Sequence, residues 1–255
     1  MDNKKINIVI PMAGAGSRFA KAGYQLPKPL IPVLGKPMIK LVIENLTPKN
    51  YETRFIFLVQ QSHIEKYQVD KYIKDWSPEC EIVPVNGLTE GAACTVLLAR
   101  QFINNDDPLI IANCDQYIDC CMDDFISNWF KNECDGMVMT MTADDPKWSF
   151  VGFDHDGKVE RIVEKEVISN EATVGIYGFM KGGDFVRSAD EMIAVNDRVK
   201  NEFYVAPAYN YLIKKSATLG IYNIGSEHNG MYGLGIPDDL KYFENLALAQ
   251  KVCGS

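Results

Sequence analysis

Apolar residues along the chain gather in short runs separated by stretches of helical spacing. Residues 6–10 form a continuous apolar run broken only by Asn7, ended by Pro11 and a small-residue loop. Residues 54–60, 81–85, 108–112 and 136–142 repeat the pattern, each short enough for a buried strand. Between them, residues 37–46, 62–74, 91–102 and 123–131 predict helices. Pro37 opens the first of these, where a missing N–H costs nothing. Ser62 with Glu65 three residues on has the spacing of a capping box. Strands alternating with helices predict a parallel sheet covered on both faces. From Trp148 the pattern changes. Residues 149–154 and 158–164 flank an Asp156-Gly157 turn and predict a β-hairpin. Residues 173–180 predict a further strand, with helices near 184–195, 205–215 and 237–250. In open α/β sheets ligands lie beyond the carboxyl ends of strands, so the informative loops follow Ile10, Gln60, Val85 and Ala112.

Composition narrows the class. The chain has 255 residues, 47% hydrophobic and 24% charged. It is long enough to bury a core without a disulfide or metal staple, as one large domain or two small ones. A net charge of −8 argues against a generic nucleic-acid or membrane-surface binder. Charge is uneven: residues 1–40 hold seven cations against Asp2, a local +6, so the remainder carries −14. A basic N-terminal segment on an acidic body suits local binding of an anion, or a chance cluster of solvated lysines. Seven cysteines form no C-x-x-C pair, which leaves no zinc-ribbon or thioredoxin-like pattern and suggests ordinary reduced thiols, Cys120 and Cys121 included. No window approaches 18 apolar residues, and the run after Lys4-Lys5 is too short for a secretory signal. A reducing cytoplasm is the expected location, which empties the sequon at Asn45-Leu46-Thr47 of meaning.

The loop after the first strand reads Pro11-Met12-Ala13-Gly14-Ala15-Gly16-Ser17-Arg18-Phe19. Small residues there let successive backbone N–H groups approach a phosphate, or simply make a tight turn. The dinucleotide fingerprint fails because Phe19 replaces its third Gly, and no Walker A motif occurs. Ten residues after Arg18 comes Lys28, within Leu26-Pro27-Lys28-Pro29-Leu30, followed by Leu34-Gly35-Lys36-Pro37-Met38-Ile39. Taken together, Gly14-x-Gly16-Ser17-Arg18, the Pro-Lys-Pro-Leu run and the Leu-x-Gly-Lys-Pro-Met-Ile run resemble the sugar-phosphate nucleotidyltransferases, or NDP-sugar pyrophosphorylases. The resemblance extends from about residue 6 to 245 and is nearest to short forms associated with capsule biosynthesis.

The resemblance implies an α/β fold: a Rossmann-like, glycosyltransferase-A-type, mostly parallel sheet flanked by helices, with a mixed β-rich sugar-binding part. It implies a single domain over 1–255, with a nucleotide-binding half to about 145 and a sugar-phosphate half from about 146. The implied reaction is attack of a sugar-phosphate or polyol-phosphate oxygen on the α-phosphorus of a nucleoside triphosphate (UTP, CTP or dTTP), releasing pyrophosphate. That nucleophile is already anionic, so fixed cations and backbone donors matter more than a general base. Arg18 would grip the triphosphate through its two-pronged guanidinium, and Lys28 would steady the transition state. Backbone groups of Ala13, Gly14, Ala15, Gly16 and Ser17 would line the phosphates. Gly91, in Glu90-Gly91-Ala92-Ala93, would present backbone to the base, or else serve close helix packing; Asn113 belongs to the same nucleotide side, with Gln60 and Gln61 as weaker contacts.

By the same resemblance Asp115, at the end of Ile110-Ile111-Ala112-Asn113-Cys114, would bind Mg²⁺. A second metal-binding acid is expected where this chain has Gly233. Asp238 is the nearest substitute by sequence, although it also suits a helix N-terminus. On the sugar side, Trp148-Ser149-Phe150-Val151-Gly152 and Ile162-Val163-Glu164-Lys165 resemble the family's sugar strands. Glu164 would bind hydroxyls, Lys165 the sugar phosphate, and Gly152, Gly175 and Glu202 the same substrate, with Gly175 leaving it room. No nucleic-acid or membrane partner is expected, and a homo-oligomer stays open. Two other readings stand beside this one. A glycosyltransferase of the same fold would show D-x-D, where this chain has Asp115-Gln116-Tyr117. A non-catalytic nucleotide binder would account for Gly233.

Overall fold

The computed structural model describes residues 5–254. In chain order the elements begin with strand β1 (Ile6–Met12), helix α1 (Ser17–Lys21), a 3-10 turn (Lys28–Leu30), strands β2 (Pro32–Val33) and β3 (Lys36–Pro37) and helix α2 (Met38–Leu46). Strand β4 (Thr53–Gln60), helices α3 (Gln61–Tyr67) and α4 (Val69–Trp76), strand β5 (Glu81–Val85), helices α5 (Ala92–Leu97) and α6 (Arg100–Ile103) and strand β6 (Leu109–Ala112) follow. Then come β7 (Gln116–Ile118), α7 (Met122–Lys131), β8 (Gly136–Thr142), β9 (Ser149–Phe153), β10 (Val159–Glu164) and β11 (Glu171–Phe179). The last elements are α8 (Gly182–Ala194), α9 (Ala208–Ile213), β12 (Leu219–Glu227), β13 (Gly230–Gly233), α10 (Pro237–Glu244) and α11 (Ala247–Cys253).

The apolar runs become strands because both sheet faces are covered. In β1, Ile6, Ile8 and Ile10 pack with α2, α4 and α7, while Val9 turns to the face covered by α5, α6, α8 and α9. β4 divides the same way, with Phe55, Phe57 and Val59 on the first face and Ile56 and Leu58 on the second. Burying a side chain such as Phe57 completely stabilises the fold by about 2–3 kcal/mol. Strands β5, β4, β1 and β6 lie side by side and parallel. β11 then inserts antiparallel between β6 and β8, so strands from both parts of the chain share one sheet. β12 runs parallel to β8, and β13 carries the sheet on to β7, its antiparallel partner. The β9–β10 hairpin forms as expected and joins β11 where Phe150 faces Ala172.

Several expected elements are interrupted. The helix expected over 62–74 is two, broken at Gln68, which adopts left-handed φ of 53°. Ser62 lies inside α3 rather than capping it. The helices expected over 91–102 and 237–250 also break, at Leu98-Ala99 and Asn245-Leu246. All seven cysteines are free thiols. No helix among the described residues is long and apolar enough to cross a membrane.

A third apolar cluster joins the two ends of the chain. Phe19, Ile31, Val33 and Met38 pack against Tyr232, Leu240, Phe243 and Cys253. Two polar contacts tighten this seam: Lys36 Nζ donates to the Val252 carbonyl at 2.7 Å, and the Leu34 N–H donates to Glu244 Oε1 at 3.2 Å.

Gly91 is one position where only glycine fits. Its φ is 129°, and a Cβ would lie 2.5 Å from both the N and the O of Phe203. The Phe203 N–H donates to the Glu90 carbonyl at 2.8 Å, so the two segments are already bonded together. Gly91→Ala should therefore destabilise the fold by about 3 kcal/mol, lowering the melting temperature by about 6–12 °C, as thermal unfolding would measure.

Candidate active site

After β1 the chain turns through residues 13–16 into α1. Gly16 takes left-handed φ of 60°, and its missing Cβ would stand 3.5 Å from the Cβ of Lys28. The turn thus folds back onto the 3-10 turn that carries Lys28. Phe19 anchors α1 in the interior, while Arg18 is exposed. The Arg18 guanidinium lines a cavity of about 770 Å³ and has no hydrogen bond or ion pair among the described residues. An unpaired fork of donors facing open volume is suited to phosphate oxygens.

Opposite stands Asp115, three residues beyond the end of β6. Lys28 Nζ donates to its Oδ2 at 2.8 Å, with the two side chains only 20% and 26% exposed. Burial opposes the Lys28 ammonium, but Cys114 and Asp115 oppose burial more strongly and hold it above the usual lysine range. Burial pushes the Cys114 thiol up to about 11, so it is neutral at pH 7. Gly235 makes room here: a Cβ on it would lie 2.6 Å from Asp115 Oδ2. A carboxylate oxygen at the edge of a polar cavity is the hard donor that Mg²⁺ requires, and the site fits that ion once Lys28 is drawn off.

The large cavity continues into a smaller one of about 250 Å³, with Asn113, Lys147 and Trp148 lining both. Glu164, Ser149, Thr173 and Tyr177 floor the smaller space, and each is at least nine-tenths buried. Ser149 donates to Glu164 Oε2, and the Tyr177 hydroxyl meets Thr173 Oγ1 at 3.0 Å and also Ser149. Burial raises the Glu164 carboxyl above its ordinary range, against the pull of the Ser149 hydroxyl and Lys165. Lys165 lines the larger cavity beside it, bonded to the Tyr204 hydroxyl and 4.4 Å from that ring's centre. A carboxylate and three hydroxyls in one pocket suit a polyhydroxylated ligand, with the cation of Lys165 at its mouth.

The cavities therefore bring together Arg18, Asp115, Asn113, Glu164, Lys165 and Gly175, with Lys28 joined through its ion pair. Ala13 is buried, whereas Gly14, Ala15 and Ser17 form an exposed rim that lines neither cavity. Other residues take different places. Gly152 faces Ile168 and Arg161, at 2.8 and 3.0 Å from its Cβ position, and lines neither cavity. Ser149, three residues earlier, is the residue of that strand that does. The room left by Gly175 is taken by Asn113, whose Nδ2 would lie 2.0 Å from a Cβ there. Gly91 is fixed by Phe203, and the neighbouring Ala92 lines the small cavity instead. Glu202 is exposed, pairs with Val199 through its backbone and lines neither space, though its charge reaches Glu164 and Tyr204. Gln60 is buried, its amide donating to the carbonyls of Ala13 and Gly87, so it ties two loops together. Asp238 is exposed on the first turn of α10, while Asp239 lines the large cavity. Ser149, Cys114 and Asp239 were not singled out by sequence; only the strand alignment around Trp148 held a hint of the first.

Comparison with known proteins agrees with this arrangement. The family profile described as Nucleotidyl transferase matches residues 8–201, so the chain belongs to the nucleotidyl transferase family. Among its relatives is the bifunctional protein GlmU of Methanococcus maripaludis strain S2, 27% identical over 177 residues, covering 68% of this chain and 39% of that protein. A mannose-1-phosphate guanyltransferase of Aspergillus oryzae is 25% identical over 175 residues, covering 66% of this chain and 48% of that one. The chain thus spans less than half the length of these relatives. Among solved structures, a nucleoside-diphosphate-sugar pyrophosphorylase of Vibrio cholerae RC9 superposes with a TM-score of 0.78 at 26% identity, covering 94% of this chain and all of that one. A UDP-glucose pyrophosphorylase complexed with UDP-glucose shares the fold, at TM-score 0.77 and 19% identity over 97% of this chain and 99% of that one.

Proposed function

We propose that the protein joins a nucleoside triphosphate, UTP, CTP or dTTP, to a sugar 1-phosphate or polyol phosphate and releases pyrophosphate. The observation that carries this reading is the placement of charge. Arg18, Asp115 with its Lys28, and Lys165 surround one cavity that runs into a smaller one floored by hydroxyls and Glu164. In this reading residues up to about 145 handle the nucleotide, and residues from about 146 hold the phosphate acceptor. The product is a nucleotide-activated sugar or polyol of the kind used to build surface polysaccharide.

The mechanism follows from the positions of the groups. Arg18, unpaired and exposed, takes the β- and γ-phosphates with its fork of donors. Lys165 and Glu164 hold the acceptor so that its phosphate oxygen points at the α-phosphorus. The P–O bond to the acceptor forms as the α–β bridging bond breaks, and the electron pair leaves with pyrophosphate. Lys28, released from Asp115, follows the growing negative charge on the α-phosphate oxygens. Asp115 would hold Mg²⁺, whose chemistry there is to neutralise phosphate charge.

The test is pyrophosphate release with Mg²⁺, each of UTP, CTP, dTTP, GTP and ATP, and a panel of sugar 1-phosphates and polyol phosphates. Release with one pyrimidine triphosphate and one acceptor is expected. Silence across the panel with tight binding of a nucleotide sugar would instead mark a glycosyltransferase. Silence with a triphosphate still bound would mark a non-catalytic binder.

A further inference from the structure

Asp239 stands out in the large cavity as a carboxylate with no hydrogen bond of its own. It comes from the first turn of α10, yet its carboxylate makes no hydrogen bond or ion pair among the described residues. Its neighbour Asp238, on the same first turn, is exposed and lines neither cavity. Glu227, the other acid of this wall, is occupied: Lys147 Nζ lies 2.8 and 3.1 Å from its two oxygens. Burial and the nearby Glu227 raise the Asp239 carboxyl above its ordinary range, against the pull of Lys147 and His228.

Two glycines place this carboxylate relative to Asp115. Gly233 faces Gln116 in the β13–β7 register, and the Leu234 N–H donates to the Asp115 carbonyl at 2.8 Å. A Cβ on Gly233 would lie 3.1 Å from Asp239 Oδ2, and one on Gly235 would lie 2.6 Å from Asp115 Oδ2. Bare backbone thus receives one carboxylate at each of two positions two residues apart. Gln116, only 7% exposed, lines the same cavity with its Nε2 unpartnered, a donor waiting for a ligand oxygen.

We propose that Asp239 is a second protein ligand for the divalent cation, its carboxylate lying over the bare backbone of Gly233 in the cavity that Asp115 also lines. The proposal rests on the reading of Asp115 as a metal ligand. It assigns the role to Asp239 rather than to the exposed Asp238. It also gives Gly233 a reason: a side chain there would press on the carboxylate that has taken its place. Two carboxylates match the divalent charge once Lys28 has turned to phosphate, and Mg²⁺ accepts one or two such ligands alongside substrate oxygens and water.

The experiment is a titration of the full chain with Mn²⁺ alone, followed by electron paramagnetic resonance of the free ion. Four variants join the wild type: Asp239→Ala, Asp115→Asn, Asp238→Asn and the pair Asp239→Ala with Gly233→Asp. Asp239→Ala should weaken Mn²⁺ binding by about 100-fold, since even indirect partners of metal ligands cost 10–100-fold. Asp238→Asn should bind as the wild type does. The pair should recover most of the loss, because it returns a carboxylate to the vacated space; such rescue also separates a ligand from a residue that merely supports folding. Wild-type binding by Asp239→Ala, with binding lost in Asp115→Asn, overturns the proposal and leaves the Asp115 reading standing. Wild-type binding by both variants, or no binding by the wild type at millimolar Mn²⁺, overturns that reading as well.

Discussion

Lys28→Ala is expected to lower turnover by about 10²–10³-fold while weakening triphosphate binding by less than about tenfold. The asymmetry follows from where the ammonium rests. Without substrate it is 2.8 Å from Asp115 Oδ2, so it is not waiting in open solvent for a phosphate. Its interaction with nucleotide must replace an interaction it already has, and the net gain on binding is therefore small. As charge builds on the α-phosphate oxygens the exchange becomes favourable, and that is where the residue lowers the barrier. Arg18 has no such prior partner, so its contact strengthens binding from the start. Steady-state pyrophosphate release together with calorimetric triphosphate titration separates the two effects. Equal losses in both would show that Lys28 is an anchor for the ground state.

Asp115→Asn is expected to remove most of the Mg²⁺ dependence and to lower the rate by about 10³-fold, of the order seen when one strong electrostatic stabiliser is lost. The substitution has a second effect through Lys28. Burial disfavours the Lys28 ammonium, and Asp115 opposes burial together with Cys114, through its charge and its hydrogen bond. With a neutral amide in its place the lysine pKa falls, because burial then acts with less opposition. The cost to the fold is moderate because both side chains keep some contact with water. The rate measured against Mg²⁺ concentration should become nearly flat, while urea unfolding should still show one cooperative transition. A metal titration like that of the wild type would place the cation elsewhere in the cavity.

The parts of the fold legible in the sequence were those where local pattern and packing agree. β1, β4 and β6 are nearly continuous apolar runs because helices cover both faces, and such runs are visible without knowing the partner. β7 has three residues, and β12 carries two glycines and an asparagine, so neither shows a period; each is a strand because a neighbour supplies its hydrogen bonds. Gln68 and Leu98-Ala99 break expected helices at positions where no proline or glycine gives warning. Among the residues that the cavities bring together, Arg18, Lys28, Asp115, Glu164 and Lys165 were legible because they sit in short motifs. Gly91 and Gly175 were legible as special positions, but not in their reason, since Phe203 and Asn113 arrive from distant segments. Ser149 meets the cavity where Gly152 was expected to, because alternation along a strand decides which of two nearby residues faces it. Asp239 was invisible, because its relation to Asp115 exists only after β13 has paired with β7.

The seam between Phe19, Ile31 and Met38 on one side and Leu240, Phe243 and Cys253 on the other has a consequence for how the protein is born. The loop carrying Arg18 and Lys28 leaves the ribosome early. The helices that brace it are translated more than two hundred residues later, on the order of tens of seconds at 5–20 residues per second. The parallel strands β1, β4, β5 and β6 can come together in the meantime, but the loop carrying Arg18 and Lys28 meets an empty flank until residue 253 has emerged. The first residues of the candidate site to be made are among the last to be set in place, and a nascent chain stalled before α10 would hold the loop carrying Arg18 and Lys28 without the support that aims it.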